Sequence, residues 1–348
     1  MVRVASSAAR PSTSHGTSRR RLIGALAGLA LLAAGQAANT SHAQDSKPVR
    51  IVFGSNWYAQ TEHGGFYQAV ADGTYARHGL EVDIRMGGPQ VNAMQLLLAG
   101  KYDVAMGDDL QTLKAVEQGL PLVTIATTFQ RSPTVLLAHP GPTKLEALRT
   151  RPIFVGQTSE TTYWPWLKST FGFSDKYKKP YTFSIQPFLA DKQSVTQGYL
   201  ASEPFAVGKA GVAPAVFLLG DYGYPPYAQT LVTTHDGLKN KPDVLRRFVE
   251  ASAEGWRNYL RDPTAGNALI RRDNPQLEQD ALDYGVKALR DTKLVTGGDA
   301  ATRGLLTMTD ARWQATFDFM VKNGLIKASV DPRGAYTTQI VDQVKVLP

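Results

Sequence analysis

An α/β fold in two lobes is what this sequence predicts, and three features predict it. From Val49 onward short apolar strands alternate with helical stretches of about 10–15 residues, the pattern of a parallel sheet covered by helices on both faces. The alternation breaks at an extended run, "TVLLAHPG" (134–141), and then restarts. A second extended run, "AQTLVTTH" (228–235), leads into a tail that reads as mostly helical.

The elements follow in order. "VRIVFG" reads as a strand, and "GGFYQAVADGTYARHG" has helical spacing at Phe66, Ala69, Val70 and Tyr75, closed by the glycine after His78. "LEVDIRMG" alternates as a half-buried strand. "PQVNAMQLLLAG" is a helix, "YDVAMG" a strand, "DDLQTLKAVEQG" a helix and "LPLVTIATT" a strand. Beyond the first extended run come "RPIFVG" as strand, "ETTYWPWLKSTFGF" as helix, "YTFSIQ" as strand, "ADKQSVTQG" as a short helix and "APAVFLLG" as strand. In the tail, "KPDVLRRFVEASAEGWRNYL" sets Leu245, Phe248, Val249, Ser252, Trp256, Tyr259 and Leu260 on one stripe. Further helices are expected around 275–290 and 310–323. With crossings near 134–141 and 228–236, the expected division is lobe I over 44–139 and 236–348, and lobe II over 140–235. Two crossings make a hinge, and the cleft beside a hinge is where small ligands bind.

The first 43 residues stand apart. They hold five arginines and no acid, then 13 small or apolar residues from Leu22 to Ala34, then a polar stretch ending Ser41-His42-Ala43. That is the layout of a cleavable secretory leader, expected to be cut between Ala43 and Gln44, and "SRRRLIG" (18–24) also suits the twin-arginine route. Its apolar run falls short of the ~20 residues a membrane span needs. Taking those five arginines from the 38 basic residues leaves 33 against 30 acidic ones, too slight an excess to suggest nucleic acid or an anionic membrane. The chain has no cysteine, which excludes disulfides, thiolate metal sites, cysteine nucleophiles and a lipidated cysteine. A periplasmic, unanchored protein is the expectation.

In open α/β sheets ligands sit beyond the carboxyl ends of the strands. There the first strand offers Trp57 and Tyr58, followed by His63, and the third offers Asp108 and Asp109 after Gly107. In the second half "GQTSE" (156–160) offers Ser159, Glu160 and backbone N–H groups at a helix start, and "GYLASEPF" offers Tyr199 and Glu203. Each has a plainer alternative. The aromatics could be core, one aspartate caps its helix, Ser159 could cap another, and Glu203 before Pro204 suits a helix N-terminus. Together, with few bases among them, they describe a site for a flat, neutral or weakly basic molecule bearing hydrogen-bond donors. Trp164, Trp166 and Tyr222 read as core or cleft wall.

"NWYAQTEHGGFYQAVADGTYARHGLEVDIRMGG", "LLLAGKYDVAMG" and "AVEQGLPLVTIA" resemble the family that groups periplasmic thiamine-pyrimidine-precursor-binding proteins with fungal pyrimidine synthases. Sulfonate- and nitrate-binding proteins are more distant relatives. The likeness is strongest over 49–140 and continues to about 325. It implies a type II periplasmic-binding-protein fold, with a mixed sheet in each lobe, serving an ABC importer whose permease is the partner. It also implies that an aromatic of the first segment stacks on a pyrimidine, and that a Gly-Tyr-x-x-x-Glu segment supplies a carboxylate. Gly198, Tyr199 and Glu203 match that spacing, while Leu200 stands where an aromatic is common.

Catalysis is the main competing class. The resemblance implies that the synthases use a cysteine-rich iron-binding motif, and this chain has no cysteine. No nucleophile elbow and no phosphate-binding glycine loop appears, and the histidines at 63, 78, 139 and 235 are widely spaced. A monomeric binding protein without cofactor or metal is expected. Its other possible cargoes are a flavin precursor, or an anion for which Arg131 or Lys168 would serve.

Overall fold

The computed structural model of the chain describes residues 47–88 and 90–348, so the leader expected at 1–43 lies outside the described residues. Four strands come first: β1 (Val49–Gly54), β2 (Leu80–Arg85), β3 (Val104–Gly107) and β4 (Leu122–Phe129). Five follow: β5 (Thr134–Ala138), β6 (Ile153–Val155), β7 (Lys178–Pro180), β8 (Val195–Tyr199) and β9 (Ala215–Leu218). β10 (Ala228–Thr234) comes last. They build two five-stranded sheets, ordered β2-β1-β3-β10-β4 and β7-β6-β8-β5-β9.

The two sheets share one plan. In each, the strand in fourth place runs against its neighbours, and the others share a direction. That opposing strand is the first one the chain lays down after changing sheets, β5 in the second and β10 in the first. The runs at 134–141 and 228–236, expected to be the crossings, are therefore mostly ladder strands. The crossings are the polar, turn-rich segments 130–133 and 219–227 just before them. Burial explains the difference: all of β5 and nearly all of β10 is buried, and a solvent-spanning link would not be.

Two further expectations differ from the structure. "YTFSIQ" is not a strand, because pairing of β7 with β6 stops at Val155 opposite Pro180, and Phe183 then takes a left-handed backbone (φ 59°). "ADKQSVTQG" is not a helix. The helix lies earlier, at Gln186–Ala190 with Pro187 in its first turn, and Val195 to Gly198 belong to β8 between β6 and β5. Polar Thr196 and Ser194 are buried there, so the alternation that marks a strand is muted.

The tail completes the first lobe. The helix Pro242–Arg261 buries Leu245, Phe248, Val249, Ser252, Trp256 and Tyr259 against the helix Gly64–Ala71. Contact is close because glycines line it. A Cβ on Gly255 would come 2.2 Å from the Gly65 carbonyl oxygen, and Cβ atoms on Gly64 and Gly65 would enter the rings of Tyr259 and Trp256. Phe66 and Tyr67 are thereby core. Further on, Thr124 on β4 exchanges backbone bonds with Ala335 and Thr337, which covers that sheet edge.

One side chain ties the two crossings together. Arg312, on the helix Asp310–Lys322, donates to the carbonyls of Gln130 (2.8 Å) and Pro225 (3.0 Å), and its guanidinium lies 4.4 Å from the Tyr227 ring centre. On the flanks the lobes also touch: Phe205 meets Tyr284 at 5.5 Å, Lys209 pairs with Glu278 and Asp280, and Ser169 donates to Asn323 at 2.6 Å.

Candidate functional site

The carboxyl ends of β1, β3, β6 and β8 face one another between the lobes. From lobe I, the turn after β1 brings Trp57 and Tyr58. The Trp57 ring is half-buried, 5.6 Å from Tyr58 and 5.2 Å from Phe183 of lobe II, so an aromatic from each lobe meets across the mouth. Tyr58 is 45% exposed and lies over Gly88, where a Cβ would come within 3.2 Å of its ring. Phe183 is 58% exposed. Its left-handed backbone costs of order 1–3 kcal/mol, the kind of local strain that collects at ligand-binding places.

Behind the aromatics is the 3-10 turn Thr61–His63. His63 is buried and bonded to Asn56 Oδ1 (3.1 Å), and burial lowers its pKa to about 4, so the ring is neutral. Glu62 is fully buried. Its Oε2 accepts from the Thr61 hydroxyl (3.0 Å), and its Oε1 has no partner. Burial, with the charge of Glu203 adding to it, raises its pKa to about 7.

After β3, Asp108 caps the helix Asp109–Glu117 by accepting from Gln111 N (2.7 Å), and burial raises it to about 6. Asp109 is turned into lobe I. It accepts from Tyr227 N (2.9 Å) and the Thr316 hydroxyl (2.9 Å), which fixes the returning crossing to the core.

In lobe II the Gly-Tyr-x-x-x-Glu segment has a clear physical logic. Glu203 opens the helix Glu203–Lys209, yet its side chain folds back over Gly198. Its Oε2 accepts from Tyr199 N (2.6 Å) and the Ser202 hydroxyl (2.8 Å). A Cβ on Gly198 would come 2.7 Å from Glu203 Cβ, so only glycine admits the fold-back. Oε1 has just the Tyr181 hydroxyl, at 3.4 Å. Beside it, Gln197 Oε1 accepts from Gly156 N (2.5 Å) and the Tyr163 hydroxyl (2.6 Å).

Around Tyr199 the field is acidic. Burial raises its hydroxyl pKa, and the charges of Asp108, Glu62 and Glu203 raise it further. Tyr224 is raised by burial first, then by Asp108 and Asp109. The cations that an anionic cargo would call on are engaged elsewhere: Arg131 with Asp221 (2.6 Å) and the Thr292 carbonyl, Lys168 with Asp175 (2.9 Å).

Of the sequence-named residues, the structure gathers Trp57, Tyr58, Asp108, Tyr199 and Glu203 around the cleft, with His63 just behind. Ser159 is buried on a 3-10 turn with its hydroxyl unpartnered; the following helix starts at Trp164 with Pro165 in its first turn. Glu160 is exposed and paired with Lys178. Sequence reasoning passed over Glu62, Tyr163, Tyr181, Phe183, Gln197 and Tyr224. Glu62 carried a signal, as an acid inside an apolar helix entry; Phe183 carried none, because its segment reads as a strand.

Two mixed sheets of one plan, double crossings and a polar-aromatic cleft between them constitute a two-lobed periplasmic-binding-protein fold. The chain belongs to the family described as NMT1/THI5 like, which it matches over residues 60–266. It is 24% identical over 302 residues to the riboflavin-binding protein RibY of Chloroflexus aurantiacus, covering 84% of this chain and 86% of that one. It is 22% identical over 303 residues to the formylaminopyrimidine-binding protein of Halalkalibacterium halodurans, covering 81% and 89%. Among solved structures, the periplasmic aliphatic sulphonate binding protein SsuA from Escherichia coli aligns with a TM-score of 0.62 at 12% identity, over 86% of this chain and 94% of that one. The last is a likeness of fold.

Proposed function

We propose that this chain is the solute-binding component of an ABC importer, acting as a monomer in the periplasm once its leader is removed. Its cleft closes on a small planar heterocycle, foremost an aminopyrimidine precursor of thiamine, and delivers it unchanged to the permease. The observation that carries this reading is the opposition of two kinds of surface across one cleft: aromatic rings from both lobes at the mouth, and the Glu203 carboxylate, held on one oxygen and open on the other. A ring seated between Trp57 and Phe183 needs two contact distances of about 3.5 Å, against the 5.2 Å between their centres. Slight parting of the lobes about segments 130–133 and 219–227 admits it. The absence of cysteine favours binding over the chemistry of the family's synthases.

A flavin is the second reading, supported by the riboflavin-binding relative; a sulfonate is disfavoured by the acidic cleft. Calorimetric titration of protein stripped by unfolding and refolding decides among formylaminopyrimidine, riboflavin and ethanesulfonate. About ten heavy atoms at roughly −1 kcal/mol each support micromolar affinity or tighter for the pyrimidine. Tighter binding of riboflavin would transfer the assignment to the flavin, and binding of the sulfonate alone would overturn the heterocycle reading.

A further inference from the structure

We propose that Glu62 is a second ligand carboxylate, set in lobe I opposite Glu203 of lobe II, and that it selects a cationic ligand: a 4-aminopyrimidine bearing a primary ammonium rather than its neutral N-formyl amide. The inference rests on the heterocycle reading above and refines it.

Glu62, Asp108 and Glu203 come from different elements and both lobes, yet all bear on the same tyrosine, Tyr199. Every donor to their side-chain oxygens is neutral: the Thr61 hydroxyl for Glu62, Gln111 N for Asp108, and Tyr199 N with the Ser202 and Tyr181 hydroxyls for Glu203. Among the described residues none of the three is ion-paired with a lysine, arginine or histidine. Acids on the surface of this protein regularly have such partners; these do not. The independent observation is Glu62 Oε1, a carboxylate oxygen at zero exposure with no hydrogen bond at all. A buried acceptor left open is costly, and a buried carboxylate is stable when a cation meets it. Aromatic faces at the mouth, from Trp57, Phe183 and Tyr181, suit a cation as well.

The surroundings of Glu62 define its titration. Its own turn contributes Thr61 and neutral His63. Lobe II contributes Tyr199 and Glu203, and the helix Pro242–Arg261 contributes Tyr259. The helix Gln279–Thr292 packs Gly285 on Thr61 and carries Asp283 and Arg290, whose charges reach Tyr259. Because burial raises Glu62 above its ordinary value to about 7, the protein holds a proton there in mildly acid solution. An ammonium requires the ionised form, so its binding releases that proton, and affinity rises with pH until Glu62 is ionised without help. Asp108, raised to about 6, adds to the same slope in its lower part.

The test is calorimetry with 4-amino-5-aminomethyl-2-methylpyrimidine and its N-formyl derivative, on wild type and Glu62→Gln. Wild type is expected to bind the amine at least about tenfold tighter at neutral pH, a difference of ~1.4 kcal/mol. In Glu62→Gln that preference is expected to vanish, and the pH dependence of amine binding with it. Between about pH 5 and pH 8 wild-type affinity should climb for the amine and stay level for the formyl compound. Equal or weaker binding of the amine, or a preference that survives in a folded Glu62→Gln, overturns the proposal alone. Should the variant fail to fold, a level wild-type pH profile for the amine overturns it and a rising one supports it. Failure of both compounds to bind overturns the parent reading with it.

Discussion

Glu203→Ala is expected to abolish tight binding while Glu203→Gln weakens it selectively. Truncating one partner of a buried, hydrogen-bonded charge pair costs about 2–5 kcal/mol, some thirtyfold or more in Kd. Alanine also leaves Tyr199 N and the Ser202 hydroxyl without the oxygen they share, so the strand end itself loosens. Glutamine keeps one carbonyl oxygen, enough for both of those donors, and turns an NH2 toward the side that a ligand amine would approach. Amine-bearing pyrimidines should therefore lose at least about tenfold, ~1.4 kcal/mol, and analogues without the amine much less. Calorimetry checks the affinities, and thermal unfolding of the free proteins checks that the glutamine variant is intact. Equal losses for both ligand types would remove Glu203 from recognition.

Arg312→Ala is expected to lower unfolding free energy by at least about 3 kcal/mol. The guanidinium donates to Gln130 O and Pro225 O, one carbonyl on each crossing, and hydrogen bonds to charged groups contribute about 1.5–3 kcal/mol each. The cation over the Tyr227 ring adds ~0.5–2 kcal/mol. Tyr227 N is also held by Asp109, so the clamp shares its anchoring of the returning crossing with that bond. Arg312→Lys keeps the charge but not the planar guanidinium that lies over the Tyr227 ring, and should recover only part of the loss. Urea unfolding followed by tryptophan fluorescence measures both variants; a change below about 0.5 kcal/mol for alanine, the range of an ordinary surface substitution, would contradict the clamp.

The sequence was most legible where apolar spacing was strong. The βα alternation from Val49 to Phe129 and the stripe on Pro242–Arg261 stand in the structure as read, because each buries a continuous apolar face. The crossings were displaced because burial, not extension, separates a ladder strand from a link, and "TVLLA" and "AQTLVTT" read equally well as either. β8 was hidden by its polar residues, which are buried yet hydrogen-bonded inside a central strand. In the site, Glu203 could be named from its place after a strand and Gly198 from the family resemblance, but the fold-back that explains the pattern needs coordinates. Phe183 and Tyr181 became visible only once β7 ended at Pro180. Glu62 was overlooked beside the more familiar His63, although an acid at the entry of a buried helix was itself a signal.

The account depends on a flat ring held between the aromatic mouth and the acidic floor of one cleft. A crystal structure of the protein grown with formylaminopyrimidine tests this most directly. The expected result is a ring against Trp57 and Phe183, with an exocyclic nitrogen about 2.7–3.2 Å from Glu203 Oε1. A ligand bound elsewhere, with Trp57 still against Phe183 and Glu203 Oε1 still facing only Tyr181, would contradict it.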